Sequence, residues 1–170
     1  MKRNYYIVGL IFLTFFVISF ITNILGALNP DVINSFNLSL TLSAFLPFAF
    51  FIAYGVMSIP TGILVEKYKE KKIMFAAFVI AFAGALLFSL FPYYIVFIVS
   101  LFLMGSGMAM LQVVINPLLR VAGGEEHFAF NSVLAQLFFG VASFIAPMFL
   151  SFLVSSLNDT QNNNVVRSIF

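Results

Sequence analysis

The chain has 170 residues, of which 62% are hydrophobic and only 8% charged, with 24 Phe, six Tyr, no Trp and no Cys; its mean hydropathy is +1.11. Soluble domains run at about 45–50% apolar and about 25% charged, so no soluble core of this size hides that much apolar surface, and the chain reads as an integral membrane protein. A net charge of +2 carried in short loops does not support a nucleic-acid partner, and the lone His127 with no Cys offers no thiolate, disulfide or metal set, so no cofactor and no enzymatic chemistry are expected.

Met1, Lys2, Arg3 and Asn4 form a short basic start. The first apolar run, 5–28, would extend about 36 Å as a helix against a hydrocarbon core of about 30 Å. It is too long for a signal-peptide core and has no small-x-small cleavage site. Asn29-Pro30-Asp31 is expected to end it, because proline removes a donor and Asn and Asp favour turns, with a polar connection over 34–39. The second run, 41–65, carries Pro47 and Pro60, both tolerable in a membrane helix. It ends in the block Gly62-Ile-Leu-Val-Glu66-Lys67-Tyr-Lys69-Glu70-Lys71-Lys72, which holds four of the eight Lys+Arg and two of the six Asp+Glu.

The third run, 73–90, has Ser89 as its single hydroxyl, amide or charge and reads as a peripheral, lipid-facing helix. Phe91-Pro92-Tyr93-Tyr94 makes a tight hairpin with tyrosines at headgroup level. In the fourth run, 95–119, Gly105-Ser106-Gly107 invites close approach by a neighbouring helix. A polar loop over 120–127 places Glu125 and Glu126 near the positive dipole end of the fifth run, 128–154, and 155–170 is polar and Asn-rich. Lys2, Arg3, Lys67, Lys69, Lys71, Lys72 and Arg120 fall on one side, and Arg167 alone on the other. The excess of positive charge puts the amino terminus and the charged block in the cytoplasm, and five spans put the carboxyl terminus outside.

Within the helices, Ser19, Thr22, Asn23 and Gly26 share a face of the first, Gln112 and Asn116 share one of the fourth, and Ser132, Gln136, Gly140 and Ser143 share one of the fifth. Three helices with polar faces and one without is the pattern of helices one, four and five lining a cavity while helix three stays outside. No acid is expected in any span except Glu66 at a boundary.

In its position after the second helix, the charged block resembles the signature loop of major facilitator superfamily transporters, with Gly62, Glu66, Lys67, Lys71 and Lys72 in the signature places and Lys69 where its second glycine belongs. The stretch from Gly105 through Gln112 to Asn116 and Pro117 resembles the fourth helix of the fucose/glucose/galactose permease group. Leu134-Ala135-Gln136 fits that group's fifth helix, and the segment from Asn23 to Pro30 fits its first. The resemblance implies an all-α membrane fold over 1–170, five transmembrane helices making up most of an amino-terminal six-helix half. Proton-coupled fucose permeases carry acids where Gly26 and Gln112 stand, and an asparagine where Phe139 stands, so Gln112 points to the glucose/galactose branch.

The function implied is hexose transport across the cell inner membrane by alternating access, with membrane lipid, a small sugar and a missing carboxy-terminal half as partners, and with Na+ or H+ coupling open. Asn23, Gln112, Asn116 and Gln136 would then offer amides to sugar hydroxyls; the alternative is that they tie helices together, at about 0.6–2 kcal/mol each. Gly62 would let the second helix approach the other half, and Glu66 with its lysines would form a cytoplasmic latch, against the plainer reading of a topology signal. The competing function is a non-transporting membrane protein that docks on a partner through its helix faces.

Overall fold

The computed structural model describes residues 4–158 and contains five long helices: α1 (Tyr5–Ser35), α2 (Leu40–Tyr68), α3 (Glu70–Leu90), α4 (Tyr94–Gly123) and α5 (Phe128–Asn158). Inside lipid each backbone N–H and C=O has to be satisfied by the protein. So apolar a chain therefore folds as helices, and among the described residues there is no strand. All five are long and apolar enough to cross a membrane, which makes this a multi-pass membrane protein. Lys2, Arg3 and Arg167, which enter the orientation count, lie outside the described residues.

Pro30 does not end α1, contrary to the expectation from sequence; the helix runs on to Ser35. Proline withholds the N–H that the carbonyl of Gly26 would accept. The stop comes at Asn37, whose φ of 49° is left-handed. There Leu38 N–H donates to the Ile33 carbonyl at 3.0 Å and Asn37 N–H to the Asn34 carbonyl at 3.3 Å, the paired bonds of a Schellman motif. Asp31 consequently lies inside α1, half-buried, so Glu66 is not the single acid in or beside a span.

The charged block is shorter as a connection than its sequence suggests. Tyr68 ends α2, Glu70 begins α3, and Lys69 alone joins them with φ 68° and ψ 157°. That backbone region is close to glycine-only for steric reasons, and Lys69 stands where the signature loop carries glycine. The joint is therefore built at a cost in strain.

The most extensive helix pair is α3 with α4, which follow each other in sequence, but the other adjacent pairs, α1 with α2, α2 with α3 and α4 with α5, pack only lightly. The principal neighbour of α2 is α4, that of α5 is α1, and α1 also packs on α4, while α3 lies along α4. Eight consecutive residues of α4, from Met104 to Leu111, are all buried, as expected of a helix enclosed on every side. The close approaches use the small residues of the Gly105-Ser106-Gly107 stretch. A Cβ on Gly105 would lie 2.5 Å from the Phe50 carbonyl of α2, and one on Gly107 would lie 2.6 Å from the Ala77 carbonyl of α3. Buried Ile73, Ala77, Ala81, Gly84 and Phe88 form one stripe of α3 against α4, leaving its other faces outward.

Three stability changes are expected, all readable as thermal unfolding of the detergent-solubilised chain. Lys69→Gly should stabilise by about 1–2 kcal/mol by releasing strain at the joint, whereas Lys69→Ala should not. Gly107→Ala should destabilise by about 1–3 kcal/mol through overpacking against α3. Gly9→Ala, where a Cβ meets nothing within 4 Å, should stabilise by about 0.5–1 kcal/mol; equal effects at the two glycines would contradict the packing described.

Candidate functional site

The polar groups inside the bundle fall into two seams. Between α1 and α5, Ser19 Oγ donates to the Phe139 carbonyl at 2.6 Å, and Ser143 Oγ donates to Asn23 Oδ1 at 3.0 Å. Asn23 Nδ2 in turn donates to the Ser19 carbonyl at 2.8 Å and lies 3.3 Å from Ser19 Oγ. Asn23 is thus the hinge of a small network with both ends of its amide engaged. The network ties two helices where lipid tails give side-chain burial no advantage. A sugar reaching Asn23 would have to exchange for Ser143 or Ser19.

Gln112 and Asn116 on α4 are differently placed. At 3.6 residues per turn both lie within about 20° of Gly105, on the side of α4 that touches α2. Gln112 is half-buried and Asn116 exposed. Asn116 Nδ2 donates to the Gln112 carbonyl at 3.0 Å, which fixes the asparagine on its own helix and leaves its Oδ1 outward. The Gln112 amide has no hydrogen bond among the described residues, nor has that of Gln136. Gln136 is exposed on α5 and borders a shallow groove of about 570 Å³ with Gly140, Leu137, Val141, Phe144 and Ile145. No hydrogen bond among the described residues joins the α4 pair to the α1–α5 network.

A cleft of about 330 Å³ between α1, α3 and α4 is walled by side chains such as Phe20, Ile24, Phe82 and Met104. It presents no polar side chain, so it cannot recognise a polyol. Among the described residues no three His, Cys, Asp or Glu gather to hold a metal ion.

At the opposite ends, Glu66, Lys67, Lys71 and Lys72 are all exposed, and Gly62 is half-buried with open space where a Cβ would point. Lys67 Nζ stands 5.3 Å from the Tyr68 ring centre. The turn between α4 and α5 is a short 3-10 segment, Glu125–His127. There Arg120 pairs with Glu125, both well exposed, a pairing that sequence reading of Glu125 as a solvated dipole partner did not anticipate. Tyr94, read as a headgroup anchor, also donates its hydroxyl to the Leu42 carbonyl at 2.9 Å and so ties α4 to the start of α2. Asn131 was missed altogether: its amide packs against Gly123, where any Cβ would collide with it. Nothing in the local pattern marks Asn131, because its partner is recognisable only as an absent side chain.

Comparison with known proteins gives a consistent picture. A family model described as Major Facilitator Superfamily matches residues 11–170. A glucose/galactose transporter of Brucella abortus biovar 1 (strain 9-941) is 34% identical over 147 residues, which cover 85% of this chain and 36% of that protein. The L-fucose-proton symporter of Escherichia coli (strain K12) is 29% identical over 155 residues, 89% of this chain and 35% of that one. A crystal structure of the Escherichia coli fucose:proton symporter superposes with a TM-score of 0.66 at 28% identity, over 85% of this chain and 36% of that one. The chain therefore spans little more than a third of the length of the curated relatives it matches.

The α1–α5 network makes a quantitative expectation. Ser19→Ala and Ser143→Ala should each cost about 0.6–2 kcal/mol, and the double variant should fall short of their sum by about 0.5 kcal/mol or more, because both hydroxyls also meet the Asn23 amide, Ser19 Oγ as acceptor and Ser143 Oγ as donor. Strict additivity in a double-mutant cycle would mean that the two serines act independently.

Proposed function

The chain belongs to the major facilitator superfamily, and from that premise we propose that it supplies the first five spans of a sugar permease. The permease carries a neutral hexose of the glucose/galactose kind by alternating access across the cell inner membrane. The observation that carries this reading is the pair of uncommitted amides, Gln112 and Gln136, on membrane-spanning helices. An amide without a partner is expensive in a bilayer, and a sugar hydroxyl matches it because each side can both donate and accept without charge. The similarity to a glucose/galactose transporter over 147 residues supports the same substrate class.

Asn116, with its Oδ1 outward, is a third contact in this reading. Asn23 serves the sugar site mainly by positioning α1 against α5, and contacts sugar only when its serine partners yield. The exposed Glu66, Lys67, Lys71 and Lys72, beside the open face of Gly62, act as one side of a cytoplasmic latch whose counterpart belongs to the remainder of the permease. The seven-to-one distribution of Lys and Arg supports an amino terminus in the cytoplasm. The Escherichia coli relative is named as a proton symporter; Gly26 and Gln112, standing where the proton-coupled members carry acids, argue against a proton site of that kind here.

In the full-length permease, Gln112→Ala and Gln136→Ala should each lower hexose uptake about tenfold or more, the loss expected when a hydrogen bond to a neutral hydroxyl is removed, with membrane abundance unchanged. Uptake at wild-type rates in both variants would remove the amides from the site. Gln112→Glu should make uptake depend on pH where the parent does not, as measured with radiolabelled sugar in proteoliposomes across imposed proton gradients.

A further inference from the structure

The five helices divide into two groups, each closed by contacts that allow little adjustment. In the first, α1 and α5 are joined by the bonds of Ser19, Asn23 and Ser143. In the second, α2 and α3 bring backbone against α4: besides the approaches at Gly105 and Gly107, a Cβ on Gly84 of α3 would lie 2.9 Å from the Ser100 carbonyl of α4. Between the groups the main contact is α1 on α4, while α1 on α2 and α4 on α5 are light. Leu25 of α1 and Met104 and Met108 of α4 are buried there in one apolar cluster, and methionine, unbranched and flexible, adapts to a neighbour that shifts.

The α1–α4 contact is also undercut from both sides. On one side lies the cleft of about 330 Å³ shared with α3, reaching from Val17 to Leu28 on α1; on the other lies a cleft of about 120 Å³ shared with α2, reaching from Thr22 to Asn29. Leu25 borders both. The two clefts run from about mid-height toward the end of the bundle away from the 66–72 block. Beside the smaller one the Tyr54 hydroxyl of α2 faces Thr22, a contact that a change of rotamer releases. At the block end the groups are fastened instead. Asn4 N–H, at the start of α1, donates to the Ala122 carbonyl of α4 at 3.1 Å, Asn131 of α5 packs against Gly123 of α4, and α4 passes into α5 through the short Glu125–His127 turn.

We propose that α1 and α5 move as one body against α2, α3 and α4, pivoting at the block end and sliding along the α1–α4 contact, so that the two clefts narrow and widen by turns. Parting α1 from α5 would leave the Ser19 and Asn23 groups unpaired away from water, which is costly. Tilting α1 on α4 breaks no such bond and exchanges one set of dispersion contacts for another. Shear between packed helices is a displacement of about 1–2 Å, and a pivot at one end enlarges it toward the other. The motion lies inside this set of helices, distinct from the rocking of one half of a transporter against the other, and it does not rest on the sugar assignment.

The chain has no Cys, so introduced cysteines carry spin labels without background. Double electron–electron resonance on the 170-residue chain in lipid nanodiscs compares pairs of exposed sites. Leu90→Cys with Ser151→Cys spans the two bodies at the end away from the block. Ser35→Cys with Ser151→Cys, and Leu40→Cys with Leu90→Cys, reuse the same labels within one body each, and Lys71→Cys with Ala129→Cys spans the bodies at the pivot. The first distance distribution should be about twice as wide as the others. Ala85→Leu, which grows a side chain into the larger cleft, should narrow it toward them; should that variant fold poorly, the parent pairs decide the matter by themselves. A first pair as narrow as its controls, a pivot pair as broad as the first, or a breadth that a folded Ala85→Leu leaves unchanged overturns the proposal.

Discussion

Between helices surrounded by lipid, an apolar side chain gains little by leaving its solvent, because lipid tails are as apolar as leucine. Association must come from close van der Waals packing and a few hydrogen bonds, and close packing requires that backbones be allowed near one another. In this chain that permission is concentrated in Gly105 and Gly107. Two residues along a helix turn about 200°, so the pair opens nearly opposite faces of α4, one toward the Phe50 carbonyl and the other toward the Ala77 carbonyl. A single short stretch thereby lets α2 and α3 close on α4 from different sides. The remaining seam, α1 on α5, has no such glycine pair and relies on Ser19, Asn23 and Ser143 instead.

This division explains why α2 and α5 do not pack most closely with their sequence neighbours, although α3 and α4 do. A short connection brings α2 back beside α1, yet α2 finds its deepest contact on α4, and α5 finds its own on α1. The polar amides inherit their environments from this exchange. Asn23 is drawn into the α1–α5 tie, whereas Gln112 follows Gly105 down the same side of α4 and remains uncommitted. Residue types that look equivalent in a list of intramembrane amides therefore have different chemical freedom.

Much of this was legible in the residues. Five apolar runs and the close approach at Gly105-Ser106-Gly107 follow from periodicity and side-chain size, which are local properties. The amide faces of α1, α4 and α5 were legible as faces, but their partners were not. Whether Asn23 meets a serine or open space depends on which helix lies across from it, and that is decided by packing over 120 residues of separation. The end of α1 was misplaced for a related reason: Pro30 weakens one bond, while Asn34, Asn37 and Leu38 complete a cap that only backbone geometry reveals. Lys69 shows the opposite limit, since its departure from the signature glycine was visible at once, but its strained φ and ψ were not.

The prolines deserve a different weight once the helices are seen to continue through them. Pro30, Pro47, Pro60, Pro117 and Pro147 all lie inside helices, and each withholds an N–H from the carbonyl four residues before it. In a soluble helix water would take up such carbonyls; in a bilayer they must be met by protein, ion or substrate. A chain with so few charges in its spans therefore acquires much of its polar chemistry from interrupted backbone rather than from side chains. At Gly26, whose carbonyl loses its helical partner to Pro30, α1 nevertheless runs on to Ser35, so the proline that looked like a stop signal marks an interrupted hydrogen-bond ladder and not an end.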